Sequence, residues 1–379
     1  MKFSVFCLFF FALGCNAQPT AFVFPKGILD AVSNDDTTIL EKYIKADSNL
    51  TRYQDEKGAT LLFIASESLR PNAVNFLLNH RSDQYLTSKR GNNSIFWPII
   101  LNAIDTAKSL EIVRMFLKHG YDINRRDSTQ NRGSEPLILL AITSSSTEIL
   151  NLLISNGANV NETLRSNGAT LLHTLAYEPK ENSLSMIKLL IKSGADVNRS
   201  DSSGKTPLFI SVIQSNVEFV NTFLGAGSNV NSKDREGRTP FIYSTFLGNT
   251  GRCSNEVGVV QQLIKYGAKI NEKDNYGACA LHYAAYWNCI EVVKLLIENN
   301  AEINVVDNKG NIPLHYATKT PSKYGGSAQD LKKFRDDKRE ITKLLLGHGA
   351  NKNIVNSNLL TPYQLATQDL NYDVLDLLK

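Results

Sequence analysis

With 379 residues, 42% hydrophobic and 21% charged, the chain has the composition of a folded protein of two or three domains or of one long repeat array. A formal net charge of +4 gives no ground for a nucleic-acid or anionic-membrane partner, since such partners call for clustered basic residues.

The chain begins MKFSVFCLFFFALGCNAQ. One lysine precedes the apolar run from Phe3 to Gly14, which is too short to span a bilayer as a helix and fits the apolar region of a secretory signal. Cleavage is expected after Ala17, with Cys15 and Ala17 at the −3 and −1 sites. The alternative is a lipoprotein site at Ala12 to Cys15, with a lipid on Cys15 as the anchor. No other stretch is long and apolar enough to cross a membrane. The expectation is an exported protein, periplasmic or secreted: signal 1–17, a short linker 18–26, then one repeat domain over 27–379.

From residue 27 onward the chain repeats itself. GKTPLFIS (204–211), GRTPFIYS (237–244) and GNIPLHYA (310–317) align. Downstream come leucine-rich runs ending Gly-Ala-x-x-Asn, as in LLISNGANVN (152–161) and LLIKSGADVN (189–198). Thr206, Thr239 and Thr361 suit helix N-caps, and the prolines after them suit the first helical position. Gly157, Gly194, Gly227, Gly267 and Gly349 suit helix ends that need a positive φ.

This pattern resembles the ankyrin repeat family and covers nearly the whole chain after the signal. The resemblance implies an all-α repeat solenoid, in which short β-turn or hairpin fingers alternate with pairs of antiparallel helices. Module starts fall near 27, 60, 93, 135, 170, 206, 239, 279, 312 and 361, the first and last being atypical caps.

Most insertions fall between the two helices of a module. The longest is KTPSKYGGSAQDLKKFRDDKR (319–339). Its Ser327 and Asp330 predict a helix start near Ala328, running into the module's second helix. Its mixed charges read as a solvated extension.

The densest chemistry is CALHYAAYWNC (279–289). Cys279, His282 and Cys289 invite a metal or thiol reading, yet each occupies a repeat slot. His173, His282 and His315 fall in one slot of the first helix, where the resemblance implies hydrogen bonding between repeats. His80, His119 and His348 precede the turn after the second helix. No histidine is left over for catalysis, no metal-ligand spacing occurs and no cofactor motif is found, so neither an enzyme nor a metal protein is expected.

Cys253 lies in the inter-helix insertion NTGRCSNE, at the position Cys289 takes in the next module. A disulfide needs Cα atoms within about 4.4–6.8 Å, closer than helices usually pack, and the added residues supply the approach. A Cys253–Cys289 disulfide is therefore expected in an oxidising compartment. Asn49, Asn92, Asn161 and Asn198 fit the glycosylation triplet, although Asn161 and Asn198 sit in the repeat's own Asn slot.

The resemblance also implies a partner-binding surface on the fingertips and the concave side of the first helices. Mapped onto this chain it comprises Arg235, Arg238, Phe246, Leu247, Asn275, Tyr276, Tyr286, Trp287, Asn308 and Lys309. Aromatic and arginine side chains are enriched at binding hot spots. The expected function is non-catalytic recognition of a protein partner by a monomer. A secreted effector, toxin or inhibitor using the same surface is the alternative.

Overall fold

The computed structural model describes residues 22–125, 136–164, 166–245, 256–319, 328–369 and 371–379. It divides into two units, Met1–Asn159 and Val160–Lys379. The first unit pairs α1 (Lys26–Ser33) with α2 (Thr37–Ala46), α3 (Leu61–Glu67) with α4 (Pro71–Asn79), α5 (Phe96–Ile100) with α6 (Thr106–Lys118), and α7 (Leu137–Thr143) with α8 (Thr147–Ser155). The second pairs α9 (Leu171–Tyr177) with α10 (Ser183–Lys192), α11 (Pro207–Ile213) with α12 (Val217–Gly225), and α13 (Pro240–Tyr243) with α14 (Glu256–Lys265). It continues with α15 (Ala280–Tyr286) and α16 (Ile290–Glu298), α17 (Pro313–Thr318) and α18 (Ala328–Gly347), and ends with α19 (Pro362–Gln368) and the short α20 (Leu375–Leu378). Each unit is thus an all-α stack of helix pairs. Among the described residues no strand forms: the fingers are turns, with isolated bridges only at Thr87–Asn93 and Thr163–Thr170.

Local chemistry fixes the helix ends. The hydroxyls of Thr60, Thr239 and Thr361 accept the N–H groups of Phe63, Ile242 and Gln364 at 3.1, 3.2 and 3.3 Å, which satisfies donors left open in the first turn. Thr206 departs from the expectation. Its backbone caps α11, but its buried hydroxyl forms no hydrogen bond among the described residues. After the second helices the chain turns at positive φ, for example Gly194 at 91°. Arg81 and Asn300 adopt that conformation at 58° and 64°, so the slot tolerates other residues.

Each helix pair buries one apolar face. Leu208 and Phe209 of α11 meet the core with Val220 and Phe223 of α12, all fully or almost fully buried. Burial of such side chains contributes about 1.5–3 kcal/mol each.

A second repeating device joins one module to the next. Asn231 donates from its amide nitrogen to the Gly267 carbonyl at 3.1 Å and accepts the Lys269 N–H at 2.9 Å. Asn198 does the same with Gly227 and Asn229, and Asn161 with Gly194 and Asp196. Asn124 repeats it in the first unit with Gly157 and Asn159. Asn161 and Asn198 are the asparagines of the Gly-Ala-x-x-Asn phrase, and Asn124 and Asn231 take the same place in GYDIN and GSNVN. A side-chain amide suits the slot because it offers a donor and an acceptor in one plane.

Candidate binding face

In the second unit the fingers follow one another through single backbone hydrogen bonds. Arg235 N–H donates to the Ser203 carbonyl at 3.0 Å, Asn275 N–H to Glu236 at 2.9 Å, and Asn308 N–H to Tyr276 at 2.9 Å. In three modules an imidazole ties its own helix start to the next finger, whereas Phe209 and Ile242 take the slot in the modules between. His282 Nδ1 accepts the Cys279 N–H at 3.1 Å, while Nε2–H donates to the Asn311 carbonyl at 3.1 Å. His173 and His315 repeat the arrangement with Lys205 and Leu360. This geometry needs the neutral ring, and burial pushes all three imidazoles below their ordinary pKa. In the last module Gln364 replaces histidine, its Oε1 accepting the Thr361 N–H at 2.9 Å. His80, His119 and His348 instead bond the carbonyl four residues back, at the ends of the second helices.

Three consecutive fingers of the second unit are closed by buried carboxylates. Asp274 Oδ1 accepts the N–H groups of Tyr276 and Ala278 at 2.9 and 3.0 Å, and Oδ2 accepts the Tyr283 hydroxyl at 2.5 Å. Asp234 serves Glu236, Arg238 and Tyr243 in the same way, and Asp307 serves Lys309, Asn311 and Tyr316. Burial first, and then the carboxylates beside them, push the three phenols above their ordinary pKa. Sequence reasoning missed these pairs, although a constant spacing of nine residues from aspartate to tyrosine was there to be found.

The residues singled out from the sequence fall into distinct places. Arg235, Tyr276 and Lys309 are exposed, Tyr276 at 55%. Arg238 is largely covered: it pairs with Glu236 and lies over the Tyr243 and Tyr276 rings at 5.8 and 5.7 Å. Asn275 and Asn308 are exposed but stitch fingers together, their amides donating to the Arg235 and Asn275 carbonyls at 3.0 and 2.9 Å. Phe246 and Leu247 lie outside the described residues, as does Cys253. Tyr286 and Trp287 are half-buried and meet edge to face at 5.0 Å.

Tyr286 is held from below by the long insertion. Lys338 on α18 is 1% exposed, although the run containing it reads as solvated from sequence. Its Nζ donates to the Ala285, Tyr286 and Tyr316 carbonyls at 2.9, 2.9 and 3.2 Å. These carbonyls lie at the ends of α15 and α17, where helix acceptors lack partners and carry partial negative charge. Burial pushes the Lys338 amine down to about 7. Three carbonyls, one for each N–H of an ammonium, work against that. Asn288 adds a hydrogen bond of 2.8 Å to the Phe334 carbonyl of the same helix.

Cys279 is a free thiol, 1% exposed, with Sγ 3.2 Å from His282 Nδ1. Burial pushes this thiol's pKa up, the opposite of what a nucleophilic cysteine requires. Thr170 holds the same relation to His173 at 2.8 Å, so the Cys–His contact is a variant of a repeated cap.

Ankyrin repeats match a three-copy family description over residues 28–127, 100–201, 175–253 and 251–325, and a single ankyrin repeat matches 309–357. Among curated proteins no match is found. No described helix is long and apolar enough to cross a membrane. Repeated helix pairs, a histidine bridge recurring in three modules and matches from residue 28 to 357 agree: the chain belongs to the ankyrin repeat family.

Proposed function

We propose that the chain is an exported, non-catalytic module that binds a protein partner on the finger and first-helix face of the second unit. Ankyrin repeats are in general protein-interaction modules, which sets the broad class. One observation carries the choice of face: Tyr276 stands exposed with Arg235 and Lys309 on neighbouring fingers, while the polar side chains beneath them bond internally. Rigid exposed aromatics beside cations are the composition of binding hot spots. Affinity capture from the native compartment tests the reading. Tyr276→Ala with Arg235→Ala is expected to lose the partner while thermal unfolding stays unchanged; retained capture contradicts it.

Export rests on the apolar N-terminal run, and N-terminal mass analysis of the mature protein tests it. Gln18 as first residue supports cleavage, and a lipidated Cys15 supports anchoring. The Cys253–Cys289 disulfide belongs to the same proposal. It is supported by the contrast between Cys279, a free thiol, and Cys289, which is not among the free thiols. Peptide mapping of alkylated, non-reduced protein decides the matter, with free thiols at both positions against it.

A further inference from the structure

The small net charge conceals an uneven face. Asp234, Asp274 and Asp307 are buried, each accepting two N–H groups of its own finger and a tyrosine hydroxyl. Glu236 is tied to Arg238, and Glu272 to Lys233 at 2.6 Å. The acids of this face are thus withdrawn or neutralised. The cations are not: Arg235 and Lys309 are exposed and form no ion pair among the described residues. Between them Tyr276 presents an exposed ring, steadied by the Arg238 guanidinium 5.7 Å from its centre.

Backbone hydrogen bonds place these three residues on successive fingers, so their order along the face is fixed. Cation, aromatic ring, cation is a pattern that an extended chain can read, with carboxylates at the ends and an apolar side chain between. We propose that the partner docks an acidic, extended peptide segment across Arg235, Tyr276 and Lys309. This rests on the face named under Proposed function and goes further by giving the partner's chemistry. Nucleic acid fits less well. Binding a phosphate backbone draws on many cations in register, and here two stand on either side of a ring.

Selection from a phage-displayed library of random dodecapeptides, followed by titration of the selected synthetic peptides, tests this. The expected result is enrichment in Asp and Glu around an apolar residue. Affinity should then fall at least about tenfold in the Arg235→Glu/Lys309→Glu variant, whose changes are exposed, and also fall with added salt. Selected peptides without acidic enrichment that still fail on Tyr276→Ala overturn the acidic chemistry while leaving the face intact. Acidic peptides that bind the double variant unchanged overturn both. A single-stranded oligonucleotide of twenty residues that binds more tightly than every selected peptide overturns the proposal in favour of nucleic acid. Failure to select any peptide also counts against it.

Discussion

The two edges of the second unit solve one problem differently. At the finger edge, buried polar groups are satisfied by devices that recur: in three fingers an aspartate closes the turn and a tyrosine braces it, and in three modules a histidine ties the helix start to the next finger. At the opposite edge, the carbonyl ends of α15 and α17 are satisfied by one residue that occurs once, Lys338. The finger edge distributes its stability, so a single loss there is local. The other edge concentrates it.

That contrast orders the expected effects. Lys338→Met should be the most damaging change, because it removes three hydrogen bonds at once from the ends of α15 and α17; a loss of about 3 kcal/mol or more is expected in urea unfolding. An unchanged midpoint would mean that the edge is not held by this residue. His282→Ala should cost about 2 kcal/mol. His282→Gln should cost less, because Gln364 already fills the slot of the last module. Asn231→Ala removes two hydrogen bonds between modules and should cost about 1–2 kcal/mol by the same measurement.

The imidazoles also set a pH dependence. His173, His282 and His315 have lowered pKa values in the fold, so the unfolded chain binds protons first as pH drops. Stability should be complete above the ordinary histidine pKa of about 6.5 and decline below it, with a lower Tm at pH 5 than at pH 7.5. Glutamine at all three positions should flatten that slope. The smallest effect is expected at Arg339, whose pair with Asp376 at 2.5 Å is largely exposed. Arg339→Ala should leave the urea midpoint essentially unchanged, because exposed ion pairs are screened by solvent.

Legibility followed the same division. Helix pairs, the threonine caps at Thr239 and Thr361, and both histidine slots could be read because each recurs, and recurrence makes a slot visible in a single sequence. The start of α18 at Ala328 was also legible from local capping chemistry. Lys338 was not. A lysine in a run of mixed charge gives no sign that two helix ends will converge on it, and its burial depends on tertiary placement alone. The half-burial of Tyr286 was illegible for the same reason: Lys338 of the insertion helix, Trp287 and Tyr316 pack around its ring. The charge of the finger face escaped composition because burial of its aspartates is invisible in a net count.

Site-specific photo-crosslinking in the native compartment tests the binding face most directly. A benzophenone side chain placed at Tyr276 should yield a discrete crosslinked protein, lost when Arg235 and Lys309 are changed to Glu. The same probe at Tyr266, exposed beyond the end of α14, should yield none. Crosslinking from Tyr266 with none from Tyr276 would contradict the account.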